Sequence, residues 1–401
     1  MKRIVFISFL FINFNLQAQK FANLAPTPPM GWNSWNTFTI NINEQLVKET
    51  ADKMVSSGMR DAGYKYLVLD DGWMSKQRDA EGFLVPDPKK FPHGMKALVN
   101  YVHSKGLKFG LYNCAGTQTC AGYPGTRGYE YQDALRYAQW GIDYLKFDWC
   151  NSTGINAEEA YTTMSNALKL AGRPIVFSLC EWGDNKPWLW AKNVGELWRT
   201  TGDIFGCWDC AENKGTWYAW GAMQIMDKQE SLYPYGGPNH WNDPDMLEVG
   251  NGMSEAEDRS HFSMWCMMAA PLIAGNDIRK MSIQTLDILT NKDVIAIDQD
   301  ALGMQGYRYK KMADSLEVWV KPLINNSWAI AFLNRSHKEL SIHYNWENEI
   351  VNDTVHHRIL DATIHNYAIS NVWSNKAIGS TEEIMISKVA PHDVLLLRLK
   401  Y

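Results

Sequence analysis

The chain has 401 residues, 46% apolar and 21% charged, with 39 basic against 44 acidic side chains and a formal net charge of −5. That apolar share excludes disorder over most of the length, and the slight acidity argues against a nucleic-acid or anionic-membrane binder. The 18 tryptophans are the outlying figure; each offers a broad apolar face with one polar edge, suited to cores and equally to sugar rings.

In chain order, Lys2 and Arg3 precede the apolar run Ile4 to Ile12, and a small-residue site follows at Leu16-Gln17-Ala18. This is the layout of a secretory signal over residues 1–18, cleaved near Ala18. The run is short against the ~20 residues of a transmembrane helix, and no later stretch is long and apolar enough to span a bilayer. The mature chain is therefore expected to be exported, periplasmic or secreted, where disulfides are permitted.

Beyond the signal, short β-rich runs alternate with helical patterns. Strands are predicted near Met30–Trp35, over Tyr64–Leu69, Lys108–Tyr112, Tyr144–Phe147, Pro174–Leu179 and Glu196–Arg199, near His240–Asp243, and over Pro271–Ala274. Helices are predicted over Asn43–Ser57, Met95–Lys105, Tyr129–Trp140 and Ala157–Leu170. In the last of these, Ala160, Met164, Ala167 and Leu168 fall at helical spacing. Gly106 and Gly172 stand where left-handed C-caps belong. Such alternation means an α/β sheet, open or closed.

The strand ends decide between the two. They carry Trp35, Asp70-Asp71, Tyr112, Asp148, Glu181, Asp203, Asp243 with Asp245, and Asn276-Asp277. Polar groups at nearly every strand end are what the C-terminal mouth of a (β/α)8 TIM barrel requires. An open sheet concentrates its chemistry at one switch point, usually with a Gly-rich phosphate turn, and no such turn follows the early strands. After about Ile297 the texture changes to short β-rich runs at Ser315–Val320, Trp328–Leu333, Ser341–Trp346 and Val394–Leu399. The expected architecture is a catalytic barrel over residues 19–300 followed by a C-terminal antiparallel β-sandwich domain over 301–401.

Carboxylates dominate the mouth. Asp148 lies two residues after Lys146, on the same strand face, and a neighbouring lysine favours an ionised, nucleophilic carboxylate. Asp203 ends Trp-Arg-Thr-Thr-Gly-Asp further around the rim. Two carboxylates across a barrel mouth, one ionised and one protonated, are the machinery of glycoside hydrolysis. His240, Asp243, Asp245 and Glu248 are a possible metal set, but no HxH or HExxH spacing supports it, so no metal and no cofactor are expected. Cys207-Trp208-Asp209-Cys210 follows the Asp203 strand instead of opening a thioredoxin-like unit; a local disulfide or a structural pair fits that place better than a redox centre. Trp182, Trp188, Trp190, Trp198, Trp208, Trp217 and Trp220 cluster in one region, some of them candidates for a sugar subsite.

Several segments are diagnostic: Pro-Pro-Met-Gly-Trp-Asn-Ser-Trp (28–35), Leu-Asp-Asp-Gly-Trp (69–73), Cys-Ala-Gly-Tyr-Pro-Gly (120–125) and Tyr-Leu-Lys-Phe-Asp-Trp-Cys (144–150). With Cys-Glu-Trp-Gly (180–183), Trp-Arg-Thr-Thr-Gly-Asp-Ile (198–204) and Trp-Asn-Asp-Pro-Asp-Met-Leu (241–247), they closely resemble glycoside hydrolase family 27. The likeness runs from about residue 25 to the C-terminus.

The resemblance implies retaining hydrolysis of terminal α-D-galactosides, on oligosaccharides or polysaccharide side chains. Asp148 matches the nucleophile and Asp203 the acid/base, the latter with a raised pKa in the empty site and the former ionised. Asp70 and Asp71 match residues on the O4 and O6 side of galactose, Lys146 a ligand of O3 and O4, and Arg199 and Asp245 residues around O2 and O3. Trp35 and Tyr112 match sugar-contacting aromatics, and Cys120 and Cys150 a disulfide. Glu181 and Trp182 match the galactosidase form of the pocket around position 2, too bulky for an acetamido group. A retaining route sets the two carboxyl groups roughly 5–5.5 Å apart, against ~6.5–9.5 Å for inversion. Cys114 stands where relatives often carry Asp, Trp149 is bulkier than its usual counterparts, and Cys180 lacks an evident disulfide partner before Trp198. The alternatives are a β-L-arabinopyranosidase or an α-N-acetylgalactosaminidase of the same family, or a catalytically silent galactoside-binding barrel.

Overall fold

The computed structural model describes residues 21–312 and 315–401, so the expected signal segment lies outside the described residues. Eight parallel strands form one sheet: β1 (Met30–Asn33), β2 (Tyr66–Leu69), β3 (Lys108–Cys114), β4 (Tyr144–Asp148), β5 (Val176–Cys180) and β6 (Leu197–Arg199) come first. A hairpin of β7 (Ala211–Asn213) and β8 (Tyr218–Trp220) intervenes before β9 (Trp241–Asp243) and β10 (Leu272–Ala274). The strand order is β10-β1-β2-β3-β4-β5-β6-β9. Leu247 closes the remaining seam: its N–H donates to the Ile273 carbonyl at 2.8 Å, and its own carbonyl accepts from Gly275 N–H at 2.9 Å. The barrel is thus a (β/α)8 fold.

The predicted strands differ from the observed ones at their ends, for local reasons. The first stops at Asn33 because the chain turns through Ser34 into the short helix Trp35–Phe38. The third runs on to Cys114, which pairs with Asp148 across the β3–β4 ladder. The helices Glu44–Ser56 and Ala157–Leu170 begin where Asn43 and Asn156 accept backbone N–H bonds from Leu46 and Glu159, satisfying donors that the first turn leaves open. Gly106 and Gly172 follow their helices at φ 71° and 77°, the left-handed conformation that glycine adopts without steric cost.

One long helix, Glu255–Met267, escapes the sequence pattern. It opens with a capping box between Ser254 and Glu257 and is buried on nearly every side, so it has no polar face to set a period. The reason is its position between the barrel and the C-terminal sheet. Lys321 Nζ, itself fully buried, donates to the Cys266 carbonyl at 2.8 Å, and Arg259 binds Asp393 with Nη2 at 2.6 Å.

The C-terminal domain is antiparallel. Six strands pair in the order β11 (Tyr307–Lys311), β12 (Leu316–Pro322), β13 (Trp328–Asn334), β20 (Val394–Lys400), β17 (Ala368–Asn371) and β18 (Lys376–Ser380). Two-stranded ladders of β14 (Leu340–Tyr344) with β19 (Met385–Val389), and of β15 (Val351–Asp353) with β16 (Arg358–Leu360), complete it. Val318, Phe332, Tyr344, Trp346 and Leu397 share the core between them. The strand predicted over Ser341–Trp346 ends at Tyr344, and Trp346 begins a 3-10 turn.

Candidate active site

The C-terminal ends of the barrel strands converge on a rim of buried charge. Past β1, Trp35 N–H donates to Asn33 Oδ1 at 2.8 Å, and Asn33 Nδ2 donates to Asp70 Oδ2 at 2.8 Å. Past β2, Asp70 and Asp71 are fully buried. Asp70 N–H donates to Ser34 Oγ, while Asp71 accepts from the N–H groups of Gly72 and Ala121. Lys146 Nζ on β4 reaches across to Asp70 Oδ2 at 2.9 Å and lies 5.3 Å from the Tyr112 ring centre. Tyr112 in turn points its hydroxyl at Cys120 Sγ, 3.1 Å away. Cys120 and Cys150 form a disulfide, and their sulfurs lie within 4.8 Å of an Asp148 carboxylate oxygen.

Asp148 ends β4. Its Oδ1 accepts from Trp149 N–H at 2.8 Å, and its Oδ2 lies 3.5 Å from Cys180 Sγ, because the parallel register sets Asp148 directly opposite Cys180 on β5. Cys180 carries a free thiol, against which Arg199 Nη1 rests at 3.6 Å. Arg199, ending β6, sends Nη2 to Asp245 Oδ2 at 2.8 Å and to Asp203 Oδ1 at 3.1 Å. Asp203 is the one member of this group with an open side chain, 36% exposed. Glu181 accepts from the N–H and Nδ2 of Asn185. Trp182 and Asp245 both sit at positive φ, 59° and 81°. For non-glycine residues that conformation costs on the order of 1–3 kcal/mol and persists only where surrounding bonds over-determine it. At Asp245 they do: Oδ2 also accepts Ile204 N–H at 2.9 Å.

Burial sets the electrostatics. It pushes Asp148 up to about 7, with Lys146 opposing and the Asp203 charge adding to the rise. This corrects the expectation of a readily ionised Asp148. Lys146 lies on the same strand face, but its ammonium is bonded to Asp70, and Asp148 is left with the Trp149 N–H and a thiol. Desolvation likewise raises Glu181 to about 7 and Asp243 to about 6, and it raises Asp245 against the opposing charge of Arg199. For Lys146 and Arg199 desolvation is the largest single influence and works against the charge, but the surrounding acidic groups together, led by Asp70 and by Asp245 respectively, outweigh it, so both stay cationic.

Sequence reasoning missed several contributors. Asn33 and Ser34, inside a motif read mainly for Trp35, fix Asp70. Glu248, considered only as a metal ligand, accepts from Asn36 Nδ2 and Asn251 Nδ2 and ties the Trp35 helix to the loop after β9. Of the two readings of Cys207 and Cys210 from sequence, the local disulfide is the one present, in the loop that follows Asp203. Among the described residues, the one cluster spaced for a metal is Cys120, Asp148 and Cys150, and two of its members are consumed by their disulfide. A cavity of about 580 Å³ opens elsewhere, lined by Thr37, Asn251, Asp258, Asn276 and Lys280, and it includes none of the expected site residues.

The buried carboxyls predict a pH dependence of stability. Burial also raises Glu248 and Asp258 to about 7 and Asp298 to about 8. Ordinary carboxyls release their protons near ~4. Between ~4 and the raised values the folded chain holds protons that the unfolded chain has lost, so stability falls as pH rises through that window. The thermal midpoint of the unliganded protein is expected to be higher near pH ~5 than near pH ~8. A midpoint that climbs steadily over that range would show these carboxyls ionising freely.

Comparison with known proteins places this geometry. Residues 27–300 match the family model described as alpha galactosidase A, and residues 313–399 match that of the alpha galactosidase C-terminal beta sandwich domain. The chain is 52% identical over 395 residues to alpha-galactosidase A of Cellvibrio japonicus, covering 98% of this chain and 96% of that one. The crystal structure of alpha-galactosidase I from Mortierella vinacea superposes with a TM-score of 0.87 at 34% identity, covering 94% of this chain and 98% of that one. The Saccharomyces cerevisiae enzyme solved with raffinose gives 0.85 at 30% identity, with coverage of 94% and 98%.

Proposed function

The chain belongs to the alpha-galactosidase A family of glycoside hydrolases, and on that footing we propose that it is a retaining α-galactosidase with Asp148 as nucleophile and Asp203 as acid/base. The observation that supports these roles is the contrast between the two carboxyls bordering one charged network: Asp148 is buried at the end of β4, whereas Asp203 is open to solvent and held by Arg199. The buried group attacks within the ring pocket; the open one meets the leaving oxygen and later the incoming water.

In the first step Asp203 gives its proton to the glycosidic oxygen as an Asp148 oxygen bonds the anomeric carbon and the C–O bond breaks. Asp203, now ionised, takes a proton from water as that water displaces Asp148 and frees galactose with its α configuration. Asp70, Asp71, Lys146, Arg199 and Asp245 bind the ring hydroxyls; all except the partly exposed Lys146 are fully buried, so a sugar that lacks a partner hydroxyl leaves a polar group unpaired. Trp35 and Tyr112 contact the apolar ring face. Glu181 and Trp182 fill the space that a 2-acetamido group requires. The Cys120–Cys150 bridge holds the loops after β3 and β4 beside Asp148. The two matched segments, 27–300 and 313–399, support a division into catalytic and β-sandwich domains near residue 300.

A substrate panel tests the activity. Nitrophenyl α-galactoside is expected to be cleaved at least about a hundred-fold faster than nitrophenyl β-L-arabinopyranoside or nitrophenyl α-N-acetylgalactosaminide. A preference for either competitor would reassign the enzyme within its family, and binding without any release would make it a silent lectin-like barrel. Raffinose-type oligosaccharides are the proposed natural class. Export is proposed from the charged and apolar start of the chain, and the mature protein is expected to begin just after Ala18 when its first residues are sequenced.

A further inference from the structure

The hairpin of β7 and β8 has no part in closing the barrel, yet it is tied to the acid/base segment. Trp220 N–H donates to the Asp203 carbonyl at 2.9 Å, and the Trp220 carbonyl accepts from Phe205 N–H at 3.1 Å. An isolated two-stranded hairpin is marginal in water, and this one is pinned at its base as well. Gly221 N–H donates to the Cys210 carbonyl, Ala222 N–H donates to the Cys207 carbonyl, and the Cys207–Cys210 bridge sits just before β7.

Its sequence, Gly-Thr-Trp-Tyr-Ala-Trp over 215–220, packs Trp220 against the barrel core but leaves Trp217 and Tyr218 exposed. Trp220 lies close over Gly202, the neighbour of Asp203: a Cβ at Gly202 would come within 3.2 Å of Trp220 Nε1. Tyr218, on the same strand face as Trp220, stacks on it with ring centres 5.6 Å apart and planes at 29°. Tyr218 nevertheless remains 47% exposed, and Trp217 beside it 46%. An aromatic surface therefore runs outward from Asp203 into solvent. The acid/base donates its proton to the leaving oxygen, so the ground beyond it belongs to the leaving group.

We propose that the Tyr218–Trp220 face of this hairpin is a leaving-group subsite, its exposed Tyr218 ring stacking on the sugar rings attached beyond the scissile bond of an α-galactosyl oligosaccharide. The inference rests on the α-galactosidase reading and on Asp203 as its acid/base. It adds to that reading the surface that holds the sugars beyond the scissile bond. Trp and Tyr suit such a surface because their rigid rings cover the apolar faces of a pyranose at low entropic cost. Asn213 Nδ2 donates to the Tyr218 hydroxyl at 3.2 Å, and Glu212 and Lys214 pair with one another beside it.

The test compares kcat/KM for raffinose, whose leaving group is a disaccharide, with that for methyl α-galactoside, whose leaving group has no ring. In Tyr218→Ala the ratio of the two is expected to fall about five- to ten-fold, the loss typical of one stacked aromatic contact, while Trp217→Ala, which removes a ring outside that face, is expected to leave it nearly unchanged. Tyr218→Phe, which keeps a ring face, is expected to retain most of the ratio. Thermal midpoints of the variants check that the exposed substitutions leave the fold intact. An unchanged ratio in Tyr218→Ala, or an equal loss on both substrates, overturns the subsite. Failure of the unmodified enzyme to release galactose from methyl α-galactoside overturns the functional reading instead, so the two failures are distinct.

Discussion

Replacing Asp148 by Asn is expected to lower kcat by at least about a thousand-fold on every α-galactoside while galactose still binds, because the amide keeps the shape of the carboxyl but cannot attack the anomeric carbon. The site explains why so much rests on one group. Asp148 is 5% exposed, and the nearest ammonium, Lys146, is bonded to Asp70. In the empty pocket its charge is therefore poorly compensated and its pKa stands at about 7. The positive charge that builds at the anomeric carbon supplies the missing counter-charge only as the transition state forms. That is differential stabilisation of the kind that raises kcat. The same reasoning gives the variant a second signature. Removing a carboxyl that resists ionisation relieves the folded state, so above pH ~7 the thermal midpoint of Asp148→Asn is expected to equal or exceed that of the parent. Isothermal titration with galactose, steady-state rates and a melting series cover the three readouts. Residual turnover within about ten-fold of the parent would remove Asp148 from the nucleophile's role.

Replacing Asp203 by Ala is expected to act unevenly. Loss of an acid/base typically costs about 10²–10⁴-fold. The full penalty falls on sugar leaving groups, which depart as alcohols and need the proton. A dinitrophenyl galactoside needs no such help, so its first step is expected to survive and its second, the attack by water, to become rate-limiting. Azide, which needs no base, is then expected to restore turnover and to yield α-galactosyl azide. In an Asp148 variant the same reagent attacks the opposite face and yields the β product. The anomeric configuration of the azide thus assigns each carboxylate independently of rate. Uniform loss across leaving groups, with no rescue, would make Asp203 a binding residue tied to Arg199 and leave the acid/base elsewhere on the rim.

Much of this was legible along the chain because its determinants are local. Strand and helix alternate with different hydrophobic periods, so eight β runs, and the four helices between the first five of them, can be read without knowing their neighbours. Polar residues at the strand ends mark the mouth, and motifs such as Tyr-Leu-Lys-Phe-Asp-Trp-Cys carry Lys146, Asp148 and Cys150 within a few residues. The helix Glu255–Met267 was not legible, since burial against two domains erases its amphipathic stripe. The weak outer strands of the C-terminal domain were missed for the opposite reason: Lys376–Ser380 reads Lys-Ala-Ile-Gly-Ser and is largely exposed.

The sequence by itself therefore determined the order of elements, the barrel class and the residue types gathered at its mouth. Tertiary structure alone decided which of those groups meet. That Lys146 shares a strand face with Asp148 follows from the period of a strand; that it spends its charge on Asp70 depends on how the barrel closes around it. Cys180 touches Asp148 because parallel register sets those two residues opposite one another, and a shift of one residue would have turned the thiol to the other face. The aromatic hairpin acquires meaning the same way, through backbone bonds that fasten Trp220 to Asp203. Pattern along a chain records which face a side chain takes, but register and closure decide what it faces.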